Sequence, residues 1–502
     1  MKYWNTRSYL VSAIVWAGVA FGGTAQAAEA CEGLSDDMPE IGRIAKRGIG
    51  PHTSKMWMLG CECLDRNYAE FKKYRDYIPA LGIARIRLQA GWARCEREKG
   101  QFDFAWLDEP VEWAVAHGIA VTLDLSYGNG LYKGGGQHGL AGAIPSGEEG
   151  LAAWDRWIET LVLHYKGKVD DYLMWNEPDT HRFKNDHRAV GAFNARTAKI
   201  IRRLAPECHI SALQLAYADP DVLAEYIAGM EGNHVLFDSV CWHAYYINPD
   251  SFYGPERRNI EALARLAPGL ELRHTEAGCI SDWADFFAMK RVPWTEIRQA
   301  KWDMRRMIGD VSRDIRTSVF TICDLRYTGT INQMNRKGLL RANDNHDVIG
   351  VKKAYGAVQN VVSVFDAELV RTDDPAATTT DRTVSLFGWR RGRHSLFVFW
   401  EHGPVTFDKD TNEYVLDMAT PPSNSFEKRP LTIEWKGAPL ENPVWVDLFS
   451  GSVRAFPKER QLVHSCGVTF VDVPVYDSPC ILAERDAVPT AESAPLKPWK
   501  QK

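Results

Sequence analysis

The chain has 502 residues, 45% of them hydrophobic and 25% charged, with a formal net charge of −5 at pH 7. That balance excludes a disordered tail protein, a collagen and a coiled coil, and its length predicts two or three domains. No long basic run is present, which argues against a nucleic-acid partner.

Lys2 and Arg7 precede an apolar run from Tyr9 to Phe21, and small residues lead to Ala25-Gln26-Ala27. A charged start, a short apolar core and an A-x-A site read as a signal peptide over residues 1–27. The chain is therefore expected to be exported, to the periplasm or outside the cell, with no membrane span after cleavage. All ten Cys follow that site, and an even count in an exported chain permits disulfides. Cys208, Cys241, Cys279 and Cys323 lie in or near predicted strands and read as buried free thiols. Cys466 and Cys480 are candidates to close a small loop.

From residue 55, short apolar runs alternate with amphipathic stretches. Strands are predicted at 56–60, 83–88, 119–125, 172–175, 209–213, 238–242, 270–275 and 318–322. Helices are predicted at 68–80, 106–117, from a capping box at Ser146 and Glu149 to 165, then at 189–204, 221–230, 258–266, 294–312 and 351–362. Buried parallel strands separated by helices define an α/β domain. Eight such units predict a (β/α)8 TIM barrel over residues 50–364. A doubly wound sheet is the alternative, but Gly60-Cys61-Glu62-Cys63 is no dinucleotide turn. After Phe365, strand-like runs separated by Pro, Gly and Asn predict an all-β sandwich over 365–485. Residues 486–502 read as a disordered tail. Val362-Ser363-Val364-Phe365 enters the sandwich without a flexible linker, which predicts a brace rather than a free module.

A barrel carries its chemistry where strands end at the C-terminal face. Strand four ends in Trp175-Asn176-Glu177-Pro178 and strand seven in His274-Thr275-Glu276-Ala277. Two carboxylates thus share one rim. Alone, either could be an ion-pair partner or a helix cap. Together they suit glycoside cleavage, which needs two carboxyl groups flanking one bond. Arg87 ends strand two and is a candidate cation to hold a rim carboxylate ionised. Glu62 ends strand one, where it either reads a sugar hydroxyl or pairs with Arg66. Tyr127 ends strand three. Trp92 offers a face for a sugar ring or packs beneath its loop. His243 and Tyr245 can hydrogen-bond a carboxylate or a hydroxyl.

These motifs resemble clan A of the retaining glycoside hydrolases, and most closely glycoside hydrolase family 39. The resemblance rests on Asn176-Glu177-Pro178 and Glu276. It is supported by Arg87-Leu88-Gln89-Ala90-Gly91-Trp92 with Glu96, Gly100 and Phe102-Asp103, and by Trp242-His243-Ala244-Tyr245. Phe320-Thr321-Ile322-Cys323-Asp324-Leu325 and Lys353-Ala354-Tyr355 with Gln359 complete it. It implies a β-glycosidase acting on an oligo- or polysaccharide, with Glu177 as acid/base, Glu276 as nucleophile and Asn176 on the 2-hydroxyl. The clan often carries a Trp at the end of strand eight. Here Cys323-Asp324-Leu325-Arg326-Tyr327 follows, so Tyr327 or Trp92 is expected to replace that platform. An endo-acting enzyme, a transglycosylase and an inactive carbohydrate-binding barrel are the competing readings. The inserts at 126–146 and 279–293 favour a closed pit.

No essential cofactor or metal is expected. Gly134-Gly135-Gly136 lacks the Lys-Ser/Thr of a phosphate loop and reads as a mobile rim loop. Asp408-x-Asp410-x-Asn412 fails as a calcium loop because Glu413 stands where Gly is needed. Asn343-Asp344-Asn345-His346-Asp347 has no ligand spacing.

Overall fold

The computed structural model describes residues 37–491, apart from 141, 181–184, 244, 330, 379–382, 404, 412 and 417–429. The signal peptide expected over 1–27 lies outside the described residues. No helix among those described is long and apolar enough to cross a membrane.

Eight parallel strands close a barrel in chain order: Trp57–Gly60, Arg85–Gln89, Ala120–Asp124, Asp171–Leu173, His209–Leu215, Ser239–Trp242, Glu271–Ala277 and Arg316–Val319. These are the eight predicted strands, shifted by up to three residues. The first predicted helix is instead three short pieces: α at Phe71–Tyr74, 3-10 at Arg75–Tyr77 and α at Ile78–Leu81. Pro79 causes the break, because it brings no N–H to a continuous ladder. The helix Gly147–His164 begins where expected, but Ser146 makes no side-chain cap bond. Glu149 reaches Lys99 at 2.8 Å rather than closing a box.

The second domain is a sandwich of an eight-stranded and a four-stranded antiparallel sheet. Alternation along His394–His402 explains the layering. Phe397 and Phe399 face the four-stranded sheet, with Trp445, Phe470 and Leu482. Leu396, Val398 and Trp400 face the other way, into the same core cluster as Val361 and Val364 of the last barrel helix, Lys353–Val364, and Phe365 just after it.

Two boundaries differ from the sequence reading. Glu40–Ile44, before the barrel, pairs with Ser452–Arg454 inside the large sheet. Thr490–Ala491 pairs with Arg43–Ile44, so the expected tail is structured as far as 491. The run Glu-Ile-Gly-Arg-Ile holds only two apolar side chains, Ile41 and Ile44, set three apart, so neither a period of two nor an apolar run marks it as a strand. Cys466 is exposed and Cys480 is buried, and no disulfide joins them, so the small loop is not closed. Cys208, Cys241, Cys279 and Cys323 are buried free thiols as expected. The 126–146 loop is folded on itself rather than loose: Gly128 N donates to Gln137 O, Asn129 N to Gly135 O, and Ser146 N to Gly134 O.

Candidate active site

Arg87 organises the C-terminal mouth of the barrel. It is fully buried, and its two terminal nitrogens reach five acceptors. Nη1 donates to Glu62 Oε1 and Glu276 Oε2, both at 2.8 Å. Nη2 donates to Asp124 Oδ2 at 2.9 Å, Asn176 Oδ1 at 2.7 Å and Gln214 Oε1 at 2.9 Å. Six strand ends are thus tied to one guanidinium, whose planar fork suits such multiple acceptance. Glu62 therefore pairs with Arg87, not with Arg66. Arg66 pairs with Asp65 and lies over the Tyr127 ring at 5.0 Å.

Local irregularities aim the side chains. Strand five bulges between Ala212 and Leu215, with Leu213 and Gln214 both in the left-handed region. A bulge re-aims a side chain, and here Gln214 turns into the barrel. Glu177 also has positive φ, 49°, and its N–H donates to Gln214 O at 2.9 Å. Such a conformation in a non-Gly residue is uncommon and clusters at functional sites.

The two predicted carboxylates meet across His243. Its Nδ1 lies 2.9 Å from Glu177 Oε1 and 3.7 Å from Glu276 Oε2. One oxygen from each carboxylate and a ring nitrogen all lie within 4.8 Å of one another. Tyr245 donates its hydroxyl to Glu276 Oε1 at 2.5 Å. Asn176 Nδ2 donates to the Tyr127 hydroxyl at 2.8 Å.

Electrostatics separates the carboxylates. Burial alone raises the Glu276 carboxyl, but the charges of His243, Arg87 and Lys337 and the Tyr245 hydrogen bond outweigh it and hold it at about 2. Glu62 goes the other way. Burial, reinforced by Glu276 and Asp124, exceeds the pull of Arg87 and lifts it to about 8. One guanidinium does not keep three buried carboxylates ionised, so Glu62 is the neutral acid at pH 7. Lys337 is drawn down by burial to about 8, against the pull of Glu276 and Glu177.

Glu62, Arg87, Tyr127, Asn176, Glu177, His243, Tyr245 and Glu276 are therefore brought together. Trp92 is not. It is fully buried, stacks on Trp157 and Tyr132, and donates Nε1 to Glu96 at 2.6 Å. It is core, because a four-residue helix at Trp92–Cys95 turns it inward. Asp324 is also removed from the site. It is buried against Lys352 at 2.6 Å and accepts from Gly338 N at 3.0 Å, so it anchors the loop that carries Lys337. Tyr327 stands one layer back, stacked on Tyr68 at 4.4 Å and edge-on to Phe287.

Four residues of the site escaped the sequence reading. Asp124 ends strand three and was open to the strand-end rule. Gln214 is hidden by the bulge, which breaks the period-two count. Lys337 comes from a loop well past strand eight, with its ammonium 3.4 Å from the centroid of the Tyr245 ring. Tyr217 follows strand five on the wall of a cavity of about 740 Å³ that opens from Glu177 and Tyr245. The 279–293 insert lines that cavity through residues 287–291, whereas the 126–146 insert does not reach it.

No family model matches the chain, and no curated protein matches it. Solved structures do. A family 39 glycoside hydrolase from the gut symbiont Bacteroides cellulosilyticus is similar over 86% of this chain and 81% of that one, with a TM-score of 0.59 at 16% identity. A monomeric β-xylosidase from Caulobacter crescentus is similar over 88% and 97%, with a TM-score of 0.54 at 15% identity. A family 30 endoxylanase from Clostridium papyrosolvens is similar over 89% and 97%, with a TM-score of 0.53 at 14% identity. The class defined by the fold is thus the barrel with a β-sandwich found in these glycoside hydrolases, as the clan resemblance implied.

Proposed function

We propose that this chain is a retaining β-glycosidase that cleaves an oligo- or polysaccharide by double displacement. The observation that carries the reading is the pairing of Glu177 and Glu276 across His243, with oxygens within 4.8 Å. Retaining enzymes hold their carboxyl groups about 5–5.5 Å apart, whereas inverting enzymes need about 6.5–9.5 Å to admit a water.

In the first step Glu276 attacks the anomeric carbon while Glu177 gives its proton to the departing glycosidic oxygen. A glycosyl ester on Glu276 results. In the second step Glu177, now a carboxylate, takes a proton from water as that water attacks the anomeric carbon, and Glu276 leaves as the anion. Arg87 and Tyr245 each hold one oxygen of Glu276 and stabilise its charge before attack and after departure. The second N–H of Asn176 Nδ2 is directed to the 2-hydroxyl, where transition-state stabilisation is gained. Residues 1–27 support export, to the periplasm or beyond.

The same Glu177, His243 and Glu276 have the spacing of a metal site. Arg87 and Lys337 place positive charge beside Glu276, which opposes a divalent cation, and chelator treatment is expected to leave turnover unchanged.

A panel of 4-nitrophenyl β-glycosides (xyloside, glucoside, galactoside, glucuronide) names the glycon. On the best of these, Glu276→Ala is expected to lose roughly 10⁴-fold in kcat. Azide should restore turnover and give the glycosyl azide of opposite anomeric configuration. Wild-type-like hydrolysis by Glu276→Ala would sink the reading.

A further inference from the structure

The cavity beside Glu177 has a wall that does not belong to the barrel. A hairpin of the sandwich, Val405–Asp408 paired with Glu413–Leu416, leans over the mouth. Val405, Phe407 and Tyr414 line the same cavity as Glu177 and Tyr245. The hairpin is fastened at both ends. Tyr414 N donates to Arg291 O at 3.1 Å, and Asn248 Nδ2 donates to Gly403 O at 3.0 Å. Val405 and Tyr414 also pack against the cluster of Ala277, Ile280, Met289 and Trp294. At the tip, Asp408 Oδ1 accepts from Asp410 N at 2.8 Å, so the acidic run that failed as a calcium loop is a turn.

Exposed aromatic side chains are concentrated here. Among the described residues four large aromatics are exposed: Tyr217 at 55%, Trp283 at 50%, Phe407 at 45% and Phe286 at 44%. Tyr217 and Phe407 line this cavity, and Trp283 and Phe286 stand on the loop that supplies its Phe287–Arg291 wall. Exposed apolar faces collected at one rim mark a binding site. Flat rings with a polar surround suit the C–H faces of sugars.

The side of the scissile bond follows from chemistry. The acid must stand beside the leaving-group oxygen, while the nucleophile stands at the anomeric carbon. Glu177 lines the cavity and Glu276 does not. Resting on the glycosidase reading, we propose that the sandwich hairpin, through Phe407 and Tyr414, forms a binding site for the sugars on the leaving-group side. The substrate is then a saccharide chain that continues past the cleaved bond, and the sandwich is part of the active site.

The test uses the full-length protein. The aryl glycoside panel comes first, and no turnover there removes the glycosidase reading itself. Next, kcat/KM is measured for the best 4-nitrophenyl β-glycoside and for the matching unbranched β-linked tetrasaccharide. Phe407→Ala is expected to lose about tenfold or more on the tetrasaccharide, chiefly through KM, and clearly less on the aryl glycoside. Tyr217→Ala, on the facing wall, should repeat that pattern. Leu462→Ala, equally exposed on the far sheet, should change neither. Equal losses on both substrates, or no loss on the tetrasaccharide, overturn the proposal. So does a wild-type enzyme that cleaves the aryl glycoside but not the tetrasaccharide.

Discussion

Arg87 serves three buried carboxylates and two amides, so removing it does more than release Glu276. Loss of the partner of a buried charge costs about 3–5 kcal/mol, and Arg87→Ala is expected to cripple folding before it reports on chemistry. Lys337 is the cleaner probe of Glu276, the proposed nucleophile. It lowers the Glu276 carboxyl by charge, so Lys337→Met should raise that carboxyl and move the acid limb of kcat/KM to higher pH. An unmoved limb would show that the ammonium does not act on Glu276. Glu62 gives a second test at the same scale. It is lifted to about 8 in the folded chain, while the unfolded chain ionises it in the ordinary carboxylate range. Between those values the unfolded state binds fewer protons, so stability falls as pH rises, by up to roughly 1.4 kcal/mol per pH unit. Glu62→Gln copies the neutral acid. It should gain stability over wild type from pH 5 to pH 7.5 in urea unfolding, and a constant gap would refute the assignment. Glu62, Arg87, Asn176 and Glu276 were legible because the apolar strand runs and barrel topology fix where each strand stops. Lys337 was not, since its place depends on a loop anchored by Asp324 and Lys352 far along the chain.

Elements that carry their own hydrophobic period are legible in the sequence, and the departures arise at one proline and at contacts between distant segments. The first helix breaks ahead of Pro79, whose missing N–H outweighs the apolar period around it. The capping box failed because Lys99 competes for Glu149, a contact between distant segments. Strand Glu40–Ile44 was missed because its apolar partners lie at the other end of the chain. It sits between Ser452–Ala455 and Thr490–Ala491, so a chain beginning at residue 46 exposes a new sheet edge. Such a truncation should lower the thermal midpoint by roughly 4 °C or more and favour edge-to-edge association. Light scattering alongside calorimetry checks both. An unchanged midpoint would show that the strand adds nothing to the sheet.

At the scale of the molecule the two domains share interior. Asp250, on the loop after strand six, accepts from Arg305 Nε and from Trp400 Nε1, both at 2.8 Å. Lys301 reaches Asp477 at 2.5 Å, and Asn360 Nδ2 donates to Leu448 O at 2.9 Å. A fragment ending at residue 364 loses Phe365, uncovers Val361 and Val364 and leaves Lys301 without Asp477. It is expected to be insoluble, and a soluble, active fragment would refute a bracing role. The strand Glu40–Ile44 also bears on the order of synthesis. It leaves the ribosome before any barrel strand, yet its hydrogen-bonding partners, Ser452–Arg454 and Thr490–Ala491, are among the last described residues to follow. Closing a loop of that length is a slow, non-local event. The barrel can assemble while the chain is still growing, but the sandwich waits for the C-terminus. Ribosome-bound chains halted near residue 440 should therefore hold residues 40–44 open to protease, and release of the finished chain should protect them.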